Sequence, residues 1–204
     1  MSAIKNILFD LGGVLLDIDY NKTTEAFKAI GYANFDDLFS QYRASPVFEA
    51  LETGKIPENE FLKYIAALST RPVTEQAIIN AWNAMMLEYR TETLPILETL
   101  SSKYNLYLLS NTNSIHLRFF REIFTRDTGK ATLDVYFRKA WYSHEIGLRK
   151  PYTETYAFVL QQGNMVPEET LFIDDSINNI EAANKLGIKT HLMLPEERIE
   201  QLDL

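Results

Sequence analysis

Three apolar runs of this chain end in oxygen-bearing side chains, and a lysine follows a further run. Ile4–Phe9 gives way to Asp10-Leu11-Gly12-Gly13-Val14, Leu106–Leu109 to Ser110-Asn111, and Leu171–Ile173 to Asp174-Asp175. Ala140–Tyr142 leads into a loop that carries Arg149-Lys150-Pro151. An aliphatic strand that delivers a carboxylate into a glycine-rich turn is how an open α/β sheet presents a reactive group at its carboxyl edge. A carboxylate nucleophile at Asp10, a hydroxyl donor at Ser110, the Lys150 ammonium and an acid pair suit phosphoryl transfer through an aspartyl-phosphate. Three carboxylates repel a phosphate dianion unless a hard divalent cation sits among them, and oxygen-only ligands select Mg²⁺.

These stretches lie far apart in sequence, so the fold must bring them together. From residue 90 onward, strands alternate with helices expected at Thr93–Ser102, from Ser114, at Glu154–Gln161 and at Asn178–Leu186, before a last strand at Lys189–Met193. The alternation predicts a doubly wound, Rossmann-like parallel sheet with helices on both faces, whose strand carboxyl ends share one edge. Ser110 to Asn113 form a polar turn at a helix amino terminus, where free N–H groups favour an anion. Between Asn21 and Tyr89 the spacing is helical instead, as in Phe61/Tyr64/Ile65/Leu68 and Ile78/Ile79/Trp82/Met85/Met86. Four or five amphipathic helices are expected there with no strand between them; Gly54 and Pro57 mark a stop and a restart, and Thr74 an N-cap. The expected organisation is an α/β core of residues 1–16 and 90–204 with an all-helical cap, residues 17–89, inserted after the first strand.

Composition narrows the classes. The 204 residues supply apolar material for one sizeable core. A formal charge of −8 argues against nucleic acid, whose phosphates are held by clustered Lys and Arg. The chain has no cysteine, which removes disulfides, thiolate metal sites and thiol nucleophiles. No long apolar span and no secretory leader pattern occur, so the expectation is a cytoplasmic protein without a membrane partner. His116, His144 and His191 show no metal-ligand spacing, and His144 is the one nearest the expected site. Of the cap residues Tyr20, Arg43, Phe48 and Trp82 that could shape a substrate pocket, the aromatics at helical spacing are expected as cap core, which leaves Arg43 as the pocket candidate.

The four stretches, in this order, resemble the four motifs of the haloacid dehalogenase (HAD) superfamily, and the resemblance covers essentially the whole chain. The helical insert looks like that superfamily's C1-type cap. Within it, the first motif is similar to that of small sugar-phosphate phosphatases with Asp-x-Gly-[Asn/Gly]-Val, of which α-glucose-1-phosphate phosphatase is one. The resemblance implies a Mg²⁺-dependent phosphomonoester hydrolase for a small phosphorylated metabolite, sugar phosphates leading. It makes Asp10 nucleophile and metal ligand, and gives the metal the Gly12 carbonyl, Asp174 and Asp175. Ser110 and the Asn111 amide hold the phosphoryl oxygens, and Lys150 balances nucleophile and phosphate.

One position departs from that pattern. Most phosphatases of the superfamily carry, two residues after the nucleophile, an aspartate that protonates the leaving alcohol, and here the residue is Gly12. Asp17 and Asp19 are the candidate replacements. The alternatives are a catalytically impaired binding or regulatory relative and a 2-haloacid dehalogenase, the latter opposed by Gly12 and the acid pair.

Overall fold

The computed structural model describes residues 3–37, 39–40 and 43–204, with the side chains of residues 36, 40, 43 and 44 outside that description. The candidate Arg43 side chain therefore falls outside it. Strand β1 (Asn6–Phe9) is buried along its whole length, as a strand covered on both faces must be. After the Gly12-Gly13 turn, β2 (Leu16–Ile18) leads to helix α1 (Tyr20–Ala29), whose N-cap Asp19 accepts a hydrogen bond from the Asn21 N–H at 2.9 Å. Two-residue strands β3 (Phe39–Ser40) and β4 (Arg43–Ala44) pair antiparallel. Helices α2 (Pro46–Glu52), α3 (Glu58–Leu68) and α4 (Glu75–Asn83) follow, and Thr74 caps α4 as expected. Strand β5 (Met86–Tyr89) then returns antiparallel to β2.

The rest of the chain alternates: α5 (Leu94–Ser101), β6 (Asn105–Ser110), α6 (Ser114–Thr128), β7 (Lys139–Tyr142), α7 (Ser143–Ile146), α8 (Thr153–Gly163), β8 (Thr170–Asp174), α9 (Ile177–Asn184) and β9 (Lys189–Leu192). The five-stranded sheet has the order β7-β6-β1-β8-β9, with every pair parallel. One face of β1, Ile7 and Phe9, packs in a core with Leu97, Ile115 and Phe124; the other, Leu8, packs with Tyr156, Val159 and Ile180. The first of these cores runs on into the inserted segment, where Phe48 lies 5.0 Å from Trp82 between ring centroids. Phe48 and Trp82 are fully buried there.

The segment between β1 and α5 is not free of strands, contrary to expectation. Helix α4 stops at Asn83, so Met85 and Met86, read as its last turn, leave the helix and Met86 opens β5. Their three- and four-residue spacing from Trp82 imitates a helix because β5 buries Met86 and Tyr89 at its two ends. The expected boundaries at 16/17 and 89/90 fall within or at the end of this β2/β5 ribbon. Among the described residues no helix is long and apolar enough to cross a membrane.

Candidate active site

Register places the chemistry. Phe9 sits level with Leu108 on one side and Ile173 on the other, so Asp10, Ser110 and Asp174 leave the sheet at one edge. The Asp10 N–H still donates to the Ile173 carbonyl at 2.9 Å, which carries the sheet's geometry to the carboxylate itself. Lys150, 1% exposed, puts its Nζ 2.7 Å from Asp10 Oδ1 and 2.6 Å from Asp174 Oδ2. The Leu11 N–H also donates to Asp10 Oδ1, at 2.7 Å. Both contacts fall on one oxygen and leave Oδ2 clear of them. Asp174 is held further by the Ser176 N–H at 2.8 Å and the Asn179 Nδ2 at 2.9 Å.

Asp10, Asp174 and Asp175 each offer an oxygen within 4.8 Å of the others. Burial pushes the Asp10 carboxyl well above the usual carboxylate range; Asp174 and Asp175 push the same way, and the Lys150 ammonium pulls back. Asp175 is pushed up to about 6, by burial first and then by the charge on Asp174. Burial disfavours the Lys150 ammonium, yet the charges on Asp10 and Asp174 outweigh it and hold the group above its ordinary value. One buried cation facing three carboxylates leaves an excess of negative charge, and the donors are all oxygens. That is the donor set a hard divalent cation fits. Gly13, at φ 72°, is needed for it, because a Cβ there would run into the Asp175 carboxylate.

The turn after β6 serves the site in a way its residue types alone do not reveal. The Asn111 side chain faces Lys150: its Nδ2 donates to the Lys150 carbonyl and its Oδ1 accepts from the Lys150 N–H, both at 2.8 Å. Two loops that never pair as strands are thus locked together at the residue that meets Asp10. Asn113 caps α6 by accepting from the Ile115 and His116 N–H groups at 3.1 Å, and the Thr112 N–H donates to Ser143 Oγ at 2.8 Å. Ser110 and Asn111 line a cavity together with Asp10, Gly12, Lys150 and Asp175.

The opposite wall of that cavity comes mostly from the inserted segment and includes Ile18, Tyr20, Phe39, Glu52 and Met85. Ile18 and Tyr20 point in, so the strand alternation turns Asp17 and Asp19, the candidate replacement acids, away, and neither lines the cavity. Asp17 pairs with Arg90 Nε at 2.8 Å, and Asp19 caps α1. The Ile18 side chain fills the space where a Cβ on Gly12 would lie. Residue types gave no hint of three lining groups. Glu52 and Arg149 meet across the cavity, with Arg149 Nε 2.9 Å from Glu52 Oε2. His116, rather than His144, lines it as well, stacked on Trp82 at 4.6 Å between centroids. His116 Nε2 lies 3.1 Å from the Trp82 carbonyl, which can only accept, so this nitrogen carries the proton; burial holds the imidazole down at about 3. Such signals arise only when chain segments far apart in sequence fold together.

The fold, the carboxyl-edge carboxylates and the buried lysine place this molecule in a known class. Residues 4–187 match the haloacid dehalogenase-like hydrolase family, and the chain belongs to it. It is 35% identical to the D-ribitol-5-phosphate phosphatase of Bacteroides thetaiotaomicron over 187 residues, 92% of this chain and 90% of that protein. A crystal structure of a wild-type HAD family enzyme from the same organism, in complex with magnesium and inorganic phosphate, superposes with a TM-score of 0.89 at 35% identity, covering 99% of this chain and 100% of that one. A HAD-like family hydrolase from Porphyromonas gingivalis superposes at 0.86 with 32% identity, covering 96% and 94%.

Proposed function

We propose that this chain is a Mg²⁺-dependent phosphomonoester hydrolase acting on a small phosphorylated metabolite, a sugar or sugar-alcohol phosphate, through an aspartyl-phosphate on Asp10. The observation that carries the reading is the Lys150 ammonium seated between Asp10 and Asp174 at 2.7 and 2.6 Å, beside a third carboxylate, in the lining of a cavity that Ser110 shares. Asp10 Oδ2 attacks phosphorus while Lys150 neutralises Oδ1. The Ser110 hydroxyl and the Asn111 main-chain N–H hold the phosphoryl oxygens, and the Asn111 side chain holds Lys150 in place. Asp10, the Gly12 carbonyl, Asp174 and Asp175 would bind the metal, which supplies positive charge to the phosphoryl group. The segment of residues 17–89 acts as a cap that excludes bulk water and reads the organic half of the substrate. The activity of the Bacteroides relative, a D-ribitol-5-phosphate phosphatase, supports a polyol phosphate as substrate.

Phosphate release with Mg²⁺ tests this, with p-nitrophenyl phosphate, D-ribitol 5-phosphate and sugar 1- and 6-phosphates as substrates. Asp10→Asn is expected to lower turnover at least about 10³-fold on all of them, and chelation of the metal to abolish it. Asp10→Asn turnover equal to wild type refutes the reading.

A further inference from the structure

An ordinary alcohol leaves phosphorus as an alkoxide and needs a proton, and position 12 carries none to give. Resting on the hydrolase reading above, we propose that Glu52, contributed by the inserted segment, is the proton donor to the leaving group. In an in-line displacement the leaving oxygen departs on the face away from the nucleophile. Asp10 comes from the sheet edge, so the leaving oxygen lies toward the inserted segment, whose wall of the cavity carries Glu52 at the last residue of α2.

Three other groups that line the cavity could carry a proton, Tyr20 from the inserted segment and His116 and Arg149 from the core, and each is otherwise committed. His116 uses its Nε2 proton on the Trp82 carbonyl and holds none at its other nitrogen. The Tyr20 phenol is driven far up by burial and then by the charges of Asp175 and Asp10, which makes it a weak acid. The Arg149 guanidinium never gives up its proton. Glu52 differs from all three. One turn earlier on α2, Glu49 also faces Arg149, at 3.9 Å from Nη1, so two carboxylates share one guanidinium. The trio carries one negative charge too many, and a single proton on Glu52 balances it. Burial raises the Glu52 carboxyl, Arg149 pulls it back, and Glu49 pushes it up again.

The step balances. As the Asp10 oxygen bonds phosphorus and the P–O ester bond breaks, the Glu52 carboxyl proton passes to the leaving oxygen, giving a neutral alcohol and a Glu52 carboxylate paired with Arg149. When water attacks the aspartyl-phosphate, its oxygen goes to phosphorus, Asp10 departs as carboxylate, and one water proton restores Glu52. Arg149 therefore stabilises the charge that develops on Glu52 during the first step.

The test is the leaving-group dependence of kcat/KM, measured with Mg²⁺ on alkyl phosphates and on p-nitrophenyl phosphate. The nitrophenolate leaves without help, so wild type shows a shallow dependence and Glu52→Gln a steep one. Glu52→Gln is expected to lose about 10²–10⁴-fold on alkyl esters and far less on the nitrophenyl ester. Equal losses on both, or no loss on the alkyl esters, overturn the proposal. Should Glu52→Gln fail to fold because it leaves the half-buried Arg149 without its partner, Glu52→Met/Arg149→Met removes both charges together and must show the same split. Asp10→Asn is silent on both ester types if the hydrolase reading holds, so the two conclusions fail separately.

Discussion

Asp174 and Glu52 are both buried carboxylates paired to a cation, but only Glu52 lines the cavity and their surroundings are of different kinds. Asp174 is held by Lys150, the Ser176 N–H and the Asn179 amide, all from the α/β core and all within 3.1 Å. Glu52 has one guanidinium, and that guanidinium belongs to the other body: Glu52 lies on α2 of the inserted segment and Arg149 in the loop before Lys150. The contacts that hold Asp174 come from the core alone. The proton affinity of Glu52, by contrast, depends on where the inserted segment meets the core, because its partner Arg149 belongs to a core loop. Groups that position charge sit on the core; the proposed proton donor sits where the inserted segment meets it.

The largest effect on that contrast should come from loosening the rigid side. Asn111→Ala removes both 2.8 Å hydrogen bonds to the Lys150 main chain. Two buried main-chain groups lose partners, at about 1–3 kcal/mol of stability, and a displaced ammonium beside Asp10 should lower kcat by about 10²-fold. Both quantities are read from thermal melts and steady-state kinetics on one sample. A lower melting temperature with wild-type kcat would mean that Lys150 is positioned without Asn111, and the contrast between the two walls would weaken.

A pH series separates the walls by sign. His116 lies where α6 meets Trp82 of the inserted segment and is held at about 3, below the ordinary 6.5. Between those values the unfolded chain binds more protons than the folded one, so stability is present above pH 6.5 and is lost as pH falls toward 3. Asp175, raised from 3.8 to about 6, has the opposite sign: in metal-free protein its contribution favours the fold at low pH and is lost as pH rises through about 6. Melts from pH 7 to 4.5 in chelator should therefore show His116→Gln flattening the acid-side loss by about 1–2 kcal/mol, roughly 2–8 °C. Asp175→Asn should steepen it by less, since water reaches that carboxylate. An unchanged slope in His116→Gln would show that the imidazole is not buried neutral.

Much of the rigid wall was legible in the residues themselves. Strand β1 is a continuous apolar run because both its faces are covered, and Asp10, Ser110 and Asp174 each close such a run, so local pattern and sheet topology together predict convergence. The tuned wall was not legible. Glu52 ends a short amphipathic helix and reads as a solvent-facing acid until Arg149, 97 residues later, is folded against it. His116 reads as one more residue of a first helical turn. Strands β3 and β4 are two residues each, too short to show a period, and β5 was hidden by helical spacing carried over from α4. Asp17 and Asp19 are candidate replacement acids because they are close to Gly12 in sequence; alternation along β2 sends Asp17 the other way, and Asp19 caps α1.

The smallest effect sharpens the comparison most, because it concerns those two acids. Asp17 pairs with Arg90, whose Nη1 also donates to the Val14 carbonyl at 2.9 Å where β5 ends, and Asp17 is 32% exposed. Water screens such a pair, so Asp17→Asn should cost less than about 1 kcal/mol, roughly 2–4 °C. Asp19→Asn keeps an oxygen that can cap α1 and should cost even less. Neither carboxylate reaches the cavity, so neither variant should change the ratio of alkyl to nitrophenyl phosphate turnover. If Asp17→Asn slowed alkyl esters selectively, the acid would belong to the ribbon joining the two bodies. Glu52 would then be a structural partner of Arg149, and the inserted segment would supply shape to the site but not a proton.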